Sequence, residues 1–326
     1  MRLLVTGAGG MIGRKLVERL VRDGAIGGRP IQHLTLADLV VPSPPVSTIK
    51  IEPLASDIAA PGEAERLIGA RPDVIFHLAA IISGDAEANF EKGYRVNLDG
   101  MRALLEAIRK TGDGYHPKMI YTSSSGVFGA PYPEQIPDDF HLTPLTSYGT
   151  QKAIGELLLA DYVRKGFLDG VGIRFPSICI RPGKPNASAG GFFSGIIREP
   201  LAGHEAILPV PDDVGLTHAS PRSAVGFLIH AATLKPEQIG ARVNLTMPGV
   251  FCTVGEQIEA LRKLAGDKAV ALIRREPNEL ILRINKGWPG RFDARRAQAL
   301  GFRAETSFEE IVRVYIEDEL GGRLSA

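Results

Sequence analysis

Tyr148 and Lys152 stand four residues apart in Tyr148-Gly149-Thr150-Gln151-Lys152. On a helix, that spacing puts a phenol and an ammonium on the same face. A phenol with a pKa of about 10 is a poor base at neutral pH, and a nearby ammonium favours the phenolate. Such a pair can take a proton from a hydroxyl while hydride leaves the adjacent carbon. Upstream, Tyr121-Thr122-Ser123-Ser124-Ser125-Gly126-Val127-Phe128-Gly129 closes an apolar strand with hydroxyls that can hold the oxygen being deprotonated. Tyr-x-x-x-Lys recurs by chance, so its meaning depends on what else the chain brings to it.

A second constellation opens the chain. Val5-Thr6-Gly7-Ala8-Gly9-Gly10-Met11-Ile12-Gly13 places glycines 7, 10 and 13 between a strand and a helix. Gly7 permits the tight turn, Gly10 lets the backbone approach a pyrophosphate, and Gly13 lets helix and strand pack closely. Amides at the helix N-terminus then face the phosphates. The next strand ends in Leu36-Ala37-Asp38, where a carboxylate accepts the ribose hydroxyls of an adenosine and repels a 2′-phosphate. These residues predict NAD rather than NADP, and the cationic nicotinamide of the oxidised form would also favour the phenolate. Asp38 lies further along than usual because Ala25–Gln32 is inserted, and Arg14 is a basic residue near the phosphates.

The elements that must hold these residues follow from the hydrophobic pattern. Leu3-Leu4-Val5 precedes a helix over about Met11–Asp23, then come strands at His33–Leu36, Thr48–Ile51 and Asp73–His77. A long helical stretch from about Ala86 to Arg109 follows, then strands at Lys118–Thr122 and Val171–Phe175 flanking a helix over Ser147–Val163. Strands alternating with helices predict an α/β protein with a doubly wound parallel sheet, the Rossmann class, with ligands at the carboxyl ends of its strands. After residue 176 the rhythm breaks into Gly-, Pro- and Ser-rich loops and shorter helices at Arg222–Leu234, Thr253–Leu264 and Asp293–Leu300. Asp293 is the expected N-cap of the third of these, and Ser307-x-x-Glu310 a capping box for the last helix. The expected division is a dinucleotide-binding domain over 1–176 and a mainly substrate-binding region over 177–326, with elements returning to the main sheet. The basic run Arg291, Arg295, Arg296 reads as a solvated helix face.

Composition narrows the partners. The 326 residues carry 38 Lys+Arg against 37 Asp+Glu, a net charge of +1 that gives no long-range pull toward nucleic acid or anionic lipid. Neither nucleic acid nor membrane is expected as a partner, since the apolar run Val74–Ile82 is too short to span a bilayer. Strand structure beginning at Arg2 leaves no room for a signal peptide, which predicts a cytoplasmic protein. The sequons at Asn186 and Asn244 then have no secretory context. Cys179 and Cys252 are too few for a disulfide framework and lack metal spacing; buried free thiols and no metal are expected.

Taken in order, TGAGGMIG, Asp38, Asp57-Ile58, His77-Leu78-Ala79-Ala80, Val96-Asn97-Leu98-Asp99-Gly100, TSSSGVFG and YGTQK resemble the extended short-chain dehydrogenase/reductases, the NAD-dependent epimerase/dehydratase family. The resemblance covers about residues 1–183 and continues more weakly to the end. It implies a Ser-Tyr-Lys catalytic set. The catalytic hydroxyl of the family stands three residues before the Val of V-[YF]-G, which selects Ser124. Tyr148 is then the acid/base, and Lys152 holds the nicotinamide ribose and lowers the phenol pKa. Met11 and Ile12 complete the glycine loop. Asp57 and Ile58 match the pair beside the adenine, and Leu78, Ala79, Ala80 and Thr122 match strand-end residues along the cofactor. Asn97 matches a residue in the helix behind the cofactor, and Pro176 the segment that meets the carboxamide. His77 reads as structural. The family also implies a homodimer through a four-helix bundle of the helices around 86–110 and 147–166.

The substrate side departs from the nucleotide-sugar members. Their Asn-Val-Tyr-Gly-Pro is Ser177-Ile178-Cys179-Ile180-Arg181-Pro182 here, and their Arg-Asp-Phe-x-His-Val-x-Asp is represented by Thr217-His218-Ala219-Ser220-Pro221-Arg222. Lys184–Ser194 offers small residues with Phe192 and Phe193, which suggests a compact pocket. Stretches such as IISGDAEANFEKGYRVNLDG and RFPSICIRPGKPNASAGGFFSGIIREP resemble a sugar-acid dehydrogenase group within the family. That resemblance implies oxidation of the C2 hydroxyl of a small sugar acid, with Ser83, Ser125 and Ser177 lining the pocket beside Ser124 and Tyr148. A carboxylate substrate calls for an arginine, whose planar fork binds it bidentately; Arg181 and Arg222 are the candidates, each also able to serve as a salt-bridge residue. Uronate dehydrogenases use an arginine where Asn186 stands, so their ligand does not transfer. A nucleotide-sugar epimerase or dehydratase that keeps its NAD, and a non-catalytic NAD-sensing module, remain as alternatives; the intact Ser124, Tyr148 and Lys152 argue against the second of these.

Overall fold

A computed structural model of the chain describes residues 1–183 and 189–323. Position 186 and the first half of the 184–194 loop lie outside the described residues. The apolar run after Arg2 forms β1 (Arg2–Thr6), buried over its last four residues, and α1 covers Met11–Asp23. The inserted stretch folds on itself as a hairpin, β2 (Ala25–Ile26) with β3 (Arg29–Pro30). It therefore lengthens the connection and leaves β4 (His33–Asp38) paired with β1. β5 (Lys50–Ala55), α2 (Glu63–Gly69) and β6 (Val74–His77) follow, so the strand expected from Thr48 starts at Lys50 and runs on to Ala55.

The continuous helix expected from about Ala86 to Arg109 is broken. α3 (Ser83–Ala88) meets α4 (Phe90–Tyr94) at Asn89, whose φ of −124° and ψ of 72° leave the helical region. A π turn at Arg95–Asp99 then precedes α5 (Gly100–Thr111). Turns of this kind often mark functional sites, and Asn97 sits inside this one. β7 (Lys118–Ser124), α6 (Ser147–Arg164) and β8 (Asp169–Phe175) complete the alternating series. Beyond them come β9 (Ser177–Ile178), α7 (Gly191–Leu201), β10 (Ala206–Leu208), β11 (Gly215–Ala219), α8 (Pro221–Thr233) and α9 (Pro236–Ile239). The chain finishes with β12 (Asn244–Thr246), β13 (Val250–Thr253), α10 (Val254–Val270), β14 (Ile273–Arg275), α11 (Glu279–Lys286), α12 (Arg295–Ala299) and α13 (Phe308–Glu319).

Seven strands form the main sheet in the order β12-β8-β7-β6-β1-β4-β5, and all pair in parallel. This is the doubly wound Rossmann arrangement. The chain leaves β1 toward β4 on one side and resumes at β6 on the other, so a crevice opens where the order reverses, beyond the carboxyl ends of the strands. The register makes those ends level: Thr6 lies beside Ala37 and His77, His77 beside Tyr121, and Tyr121 beside Gly172. α2, α5 and α6 pack in series on one side of the chain's layers, while α1 packs on α8 and α8 on β7 and β8.

One apolar core runs through the sheet and takes in Phe227, Leu245 and Phe302 from the later part of the chain. A second, built from α7, α10 and α13 around Ile196, Leu261 and Ile311, includes Phe193 and both cysteines. The cysteines are free and buried, and burial pushes both thiols up to about 12. Among the described residues, no helix is long and apolar enough to cross a membrane.

Three local expectations meet the structure differently. α12 begins at Arg295 with Ala294 at its N-cap position, one residue later than expected, yet Asp293 Oδ1 accepts from the Arg295 amide at 3.0 Å and its carboxylate also takes the Arg295 guanidinium. At α13, Ser307 Oγ accepts from Glu310 N, and the Glu310 carboxylate reaches back chiefly to the amide and hydroxyl of Thr306, one residue before the expected partner. Arg296 is no solvated residue: its guanidinium reaches Asp138 Oδ2 at 2.9 Å and the carbonyls of Asn244 and Ile239.

The packing of α6 on β7 depends on Gly155. A Cβ there would stand 2.3 Å from Tyr121 Oη, and Tyr121 is 1% exposed with its hydroxyl unpartnered. Gly155→Ala should destabilise the fold by about 1–3 kcal/mol, the usual cost of overpacking, as read by urea denaturation. Adding Tyr121→Phe removes the nearest atom but leaves the ring carbon behind it 2.8 Å from the new Cβ, so it should recover only part of that loss. Equal stability of Gly155→Ala and the parent would contradict the packing.

Candidate active site

The glycine loop occupies the start of the crevice. Gly7 has a φ of +74°, and a Cβ on it would lie 2.6 Å from Ala79 N. A Cβ on Gly13 would lie 2.2 Å from Gly7 O. Both glycines thus let β1, α1 and the end of β6 approach more closely than any side chain allows. Gly10 stands at the N-cap position of α1 with no side chain over the helix end, and Met11 and Ile12 are half-buried against the core. Asp38 Oδ2 accepts from Gly9 N at 2.8 Å, which brings the carboxylate against the loop despite the inserted hairpin. Asp57 and Ile58, with Leu78, Ala79 and Ala80, line the same crevice, whose volume is about 580 Å³. Asp57 also pairs with Arg95, and Arg14 lies on the rim with its guanidinium on Gly9 O. The sequence had not suggested Leu39, Val40 and Val41, exposed apolar residues that follow Asp38 along the cleft.

A dinucleotide fits these residues. The cradle over the loop is one that Cβ atoms would fill, helix amides end in it uncapped, and Asp38 stands at the far end with oxygens that can take ribose hydroxyls. Among the described residues, no group of three His, Cys, Asp or Glu side chains is arranged to hold a metal ion.

Tyr148 and Lys152 lie in the first turns of α6, whose start is fixed by Thr146 Oγ1 accepting from Gly149 N. Lys152 is 2% exposed; its Nζ donates to Thr122 O at 2.7 Å and sits 4.8 Å from the centre of the Tyr121 ring and 5.7 Å from that of Tyr148. Burial pushes the Lys152 ammonium down to about 7, and Glu156 acts against that shift. Burial pushes the Tyr148 phenol up to about 12, opposed by the Arg181 guanidinium and by the Ser124 hydroxyl beside it. Two cations therefore bear on the phenol: Lys152, one turn along the same helix, and Arg181, which the sequence offered only for a substrate carboxylate. Ser124 Oγ accepts from Gly126 N at 3.1 Å, and Ser125 opens the short helical turn that follows.

Asn97 ties the two halves of the site together. Its Oδ1 accepts from Ile81 N at 2.7 Å, and its Nδ2 donates to Ile81 O and to Gln151 Oε1. The strand-end segment beyond Ala80 is thereby bonded to the residue beside Lys152. Thr122 Oγ1 donates to His77 O, and His77, buried and pushed down to about 3, pairs its Nδ1 with Thr6 Oγ1. Pro176 is buried between β8 and β9.

Of the expected substrate residues, Ser177 sits on β9 beside His218 of β11, and Ser83 is the exposed first residue of α3. Arg181 is held by Ser194 Oγ at its amide, Arg198 Nη1 at its carbonyl, and Ile178 O at its Nε. Arg222 is a salt-bridge residue: two carboxylates of α13, Asp318 at 2.5 Å and Glu317 at 2.9 Å, already take its guanidinium. Phe193 is in the second core against His218, with the Phe192 ring tilted against it, so this pair packs α7 down.

A buried network went unread in the sequence. Glu156, with no exposure, takes Arg174 Nη2 at 2.7 Å and the Ser123 hydroxyl at 2.5 Å. The signals were there in Glu156 four residues beyond Lys152, and in an arginine inside the apolar strand before Pro176.

Residues 3–213 match the family model described as the NAD dependent epimerase/dehydratase family. The chain is 43% identical over 322 residues to the D-erythronate dehydrogenase of Cupriavidus necator, covering 98% of each chain. It is 37% identical to the D-erythronate dehydrogenase of Haemophilus influenzae, covering 98% of this chain and all of that one. A solved structure described as the nucleoside-diphosphate-sugar epimerase from Agrobacterium tumefaciens is 63% identical, with a TM-score of 0.98 over 100% of this chain and 96% of that one.

The close approach at Gly13 gives a direct check on the crevice. Gly13→Ala should weaken NAD binding at least about tenfold, because the loop must shift away from the phosphates. Calorimetric titration with NAD measures this, and an unchanged affinity would contradict the fit.

Proposed function

The chain belongs to the NAD dependent epimerase/dehydratase family, and from that premise we propose that it is a dehydrogenase oxidising the C2 hydroxyl of a small sugar acid, D-erythronate, to the 2-keto acid. The observation that carries the reading is the grouping of Tyr148 and Lys152 on the first turns of α6 with Ser124 at the end of β7, a proton-transfer set whose phenol also feels the positive charge of Arg181. The two D-erythronate dehydrogenases similar along almost the whole chain support the substrate class.

Each residue has a role that its surroundings support. Because Ser124 Oγ already accepts from Gly126 N, its own proton remains to be donated to the substrate oxygen. Tyr148 takes the proton of the C2 hydroxyl; its phenol lies high in the protein alone, so a base must be made by positive charge. Arg181 meets the substrate carboxylate and at the same time favours the phenolate, a double use that an uncharged substrate would not exploit. Lys152, anchored on Thr122 O, presents its remaining hydrogens toward the ribose of the cofactor and its charge toward the phenol. Gly7, Gly10, Met11, Ile12, Gly13, Asp38, Asp57, Ile58, Leu78, Ala79, Ala80, Asn97, Thr122 and Pro176 hold or back the cofactor. Bound there, NAD supplies the hydride acceptor. Ser83, Ser125 and Ser177 are pocket residues for the remaining hydroxyls.

A second reading has a specific observation behind it: the Agrobacterium protein, 63% identical, is described as a nucleoside-diphosphate-sugar epimerase. An epimerase keeps its NAD through the cycle, whereas a dehydrogenase releases NADH with product. The test is NADH formation across D-erythronate, the threonates, aldonates, uronic acids, and UDP- and dTDP-sugars. NADH should accumulate with a four-carbon acid, and Tyr148→Phe should lose about 10²–10⁴ in turnover while keeping NAD affinity. Silence with every acid alongside an isomerised nucleotide sugar would overturn the proposal, as would near-normal turnover of Tyr148→Phe.

We also propose a homodimer through a bundle of α4, α5 and α6. Phe90 and Leu157 on these helices are 58% and 64% exposed, which leaves apolar surface for a second copy to cover. Light scattering should give twice the mass of the chain; a monomer rejects the assembly.

A further inference from the structure

Glu156 lies one helical turn beyond Lys152 and is fully buried. Arg174, 6% exposed on β8, grips its carboxylate with Nε at 2.9 Å and Nη2 at 2.7 Å. Ser123, the residue before Ser124 on β7, donates its hydroxyl to the same carboxylate. Arg174 extends the network through Nη1 to Asp138 O and lies over the Phe128 ring at 5.0 Å. One carboxylate therefore joins the helix that carries Tyr148 and Lys152, the strand end that carries Ser124, and the strand that leads to Pro176.

A buried ion pair is weak grounds for stability, because well-packed apolar residues of the same volume often do as well or better. Its place next to a buried lysine gives it another use. The titratable groups around Lys152 are His77 on β6, Tyr121 on β7, and Tyr148 and Glu156 on its own helix. Burial keeps His77 and Tyr121 neutral. Arg174 shares the Glu156 carboxylate, and Arg181 acts on Tyr148 from the loop after β9. Of these groups, Glu156 is the carboxylate, paired with Arg174 and taking the Ser123 hydroxyl.

We infer that Glu156 is a positioning residue for the acid/base pair, its carboxylate keeping the positive charge on Lys152 and holding the Ser123–Ser124 strand end against α6. The inference rests on the acid/base reading of Tyr148 and Lys152 proposed above. Removing the anion disfavours the charged lysine, and losing that charge makes the phenolate harder to form. The acid limb of the oxidation profile, along which turnover rises as the base ionises, must then move to higher pH.

The test is the pH dependence of kcat for NADH formation in Glu156→Gln. The limb should rise by about one unit, so that kcat at a fixed pH below it falls roughly tenfold, with KM for NAD within about twofold of the parent. Because that variant leaves Arg174 buried and unpaired, Glu156→Gln/Arg174→Met is measured beside it and removes both charges together. A profile superimposable on that of the parent in either folded variant overturns the inference, since a merely structural role lowers stability without moving the limb. Tyr148→Phe is run in parallel. If it is inactive while the Glu156 variants keep the parental profile, only the role of Glu156 falls; if it turns over normally, the acid/base reading itself falls.

Discussion

Placing a lysine ammonium almost out of reach of water is the constraint on which the site depends. A charge so placed needs partners on several sides, and Lys152 has them only because α6 lies hard against β7: a backbone carbonyl from Thr122, the face of Tyr121, and a carboxylate one turn away. That approach in turn requires a residue without a Cβ at 155 and a strand whose end is pinned by Ser123 on Glu156. The helix that carries Tyr148 and Lys152 is thus set by packing on one side and by a buried ion pair on the other.

The second half of the site reaches the first through Asn97. The glycine loop, Asp38 and the strand end at Leu78–Ala80 would form a dinucleotide crevice in any Rossmann sheet; fold alone says nothing of chemistry. Asn97 bonds the segment just beyond that strand end to Gln151, next to Lys152, and the π turn around it is where the helix widens to let this happen. The crevice and the helix that carries Tyr148 and Lys152 are held in one frame by these bonds. Arg181, the residue proposed to meet the substrate acid, is clamped at its amide, its carbonyl and its Nε, and in that proposal the clamping lowers the ordering cost of binding.

Much of this was legible in the chain. The glycine spacing, the acidic residue that ends the second long strand, and the Tyr-Lys pair carry together a set of physical requirements that few other sequences meet, and α1 and α6 fall where their patterns put them. The fold class followed from strands alternating with helices. What stayed hidden was whatever depends on long-range geometry. The break at Asn89 and the π turn have no signature in a sequence rich in helix formers. Arg222 and Arg181 look equivalent as letters, and only the tertiary fold puts two α13 carboxylates on one and a phenol beside the other. Likewise Arg296 sits in a basic run that reads as surface, yet bonds to Asp138 and three backbone carbonyls.

The proposal that the chain moves hydride from a sugar acid to NAD and releases the reduced product is tested most directly by following the hydrogen itself. D-Erythronate deuterated at C2 is incubated with the protein and excess NAD, and free NADH and 2-keto acid are quantified by mass spectrometry. Deuterium appearing in released NADH, one per molecule of 2-keto acid and with turnover slowed by the isotope, is the expected result. Deuterium that never leaves the substrate, or returns to it with no NADH released, would contradict it.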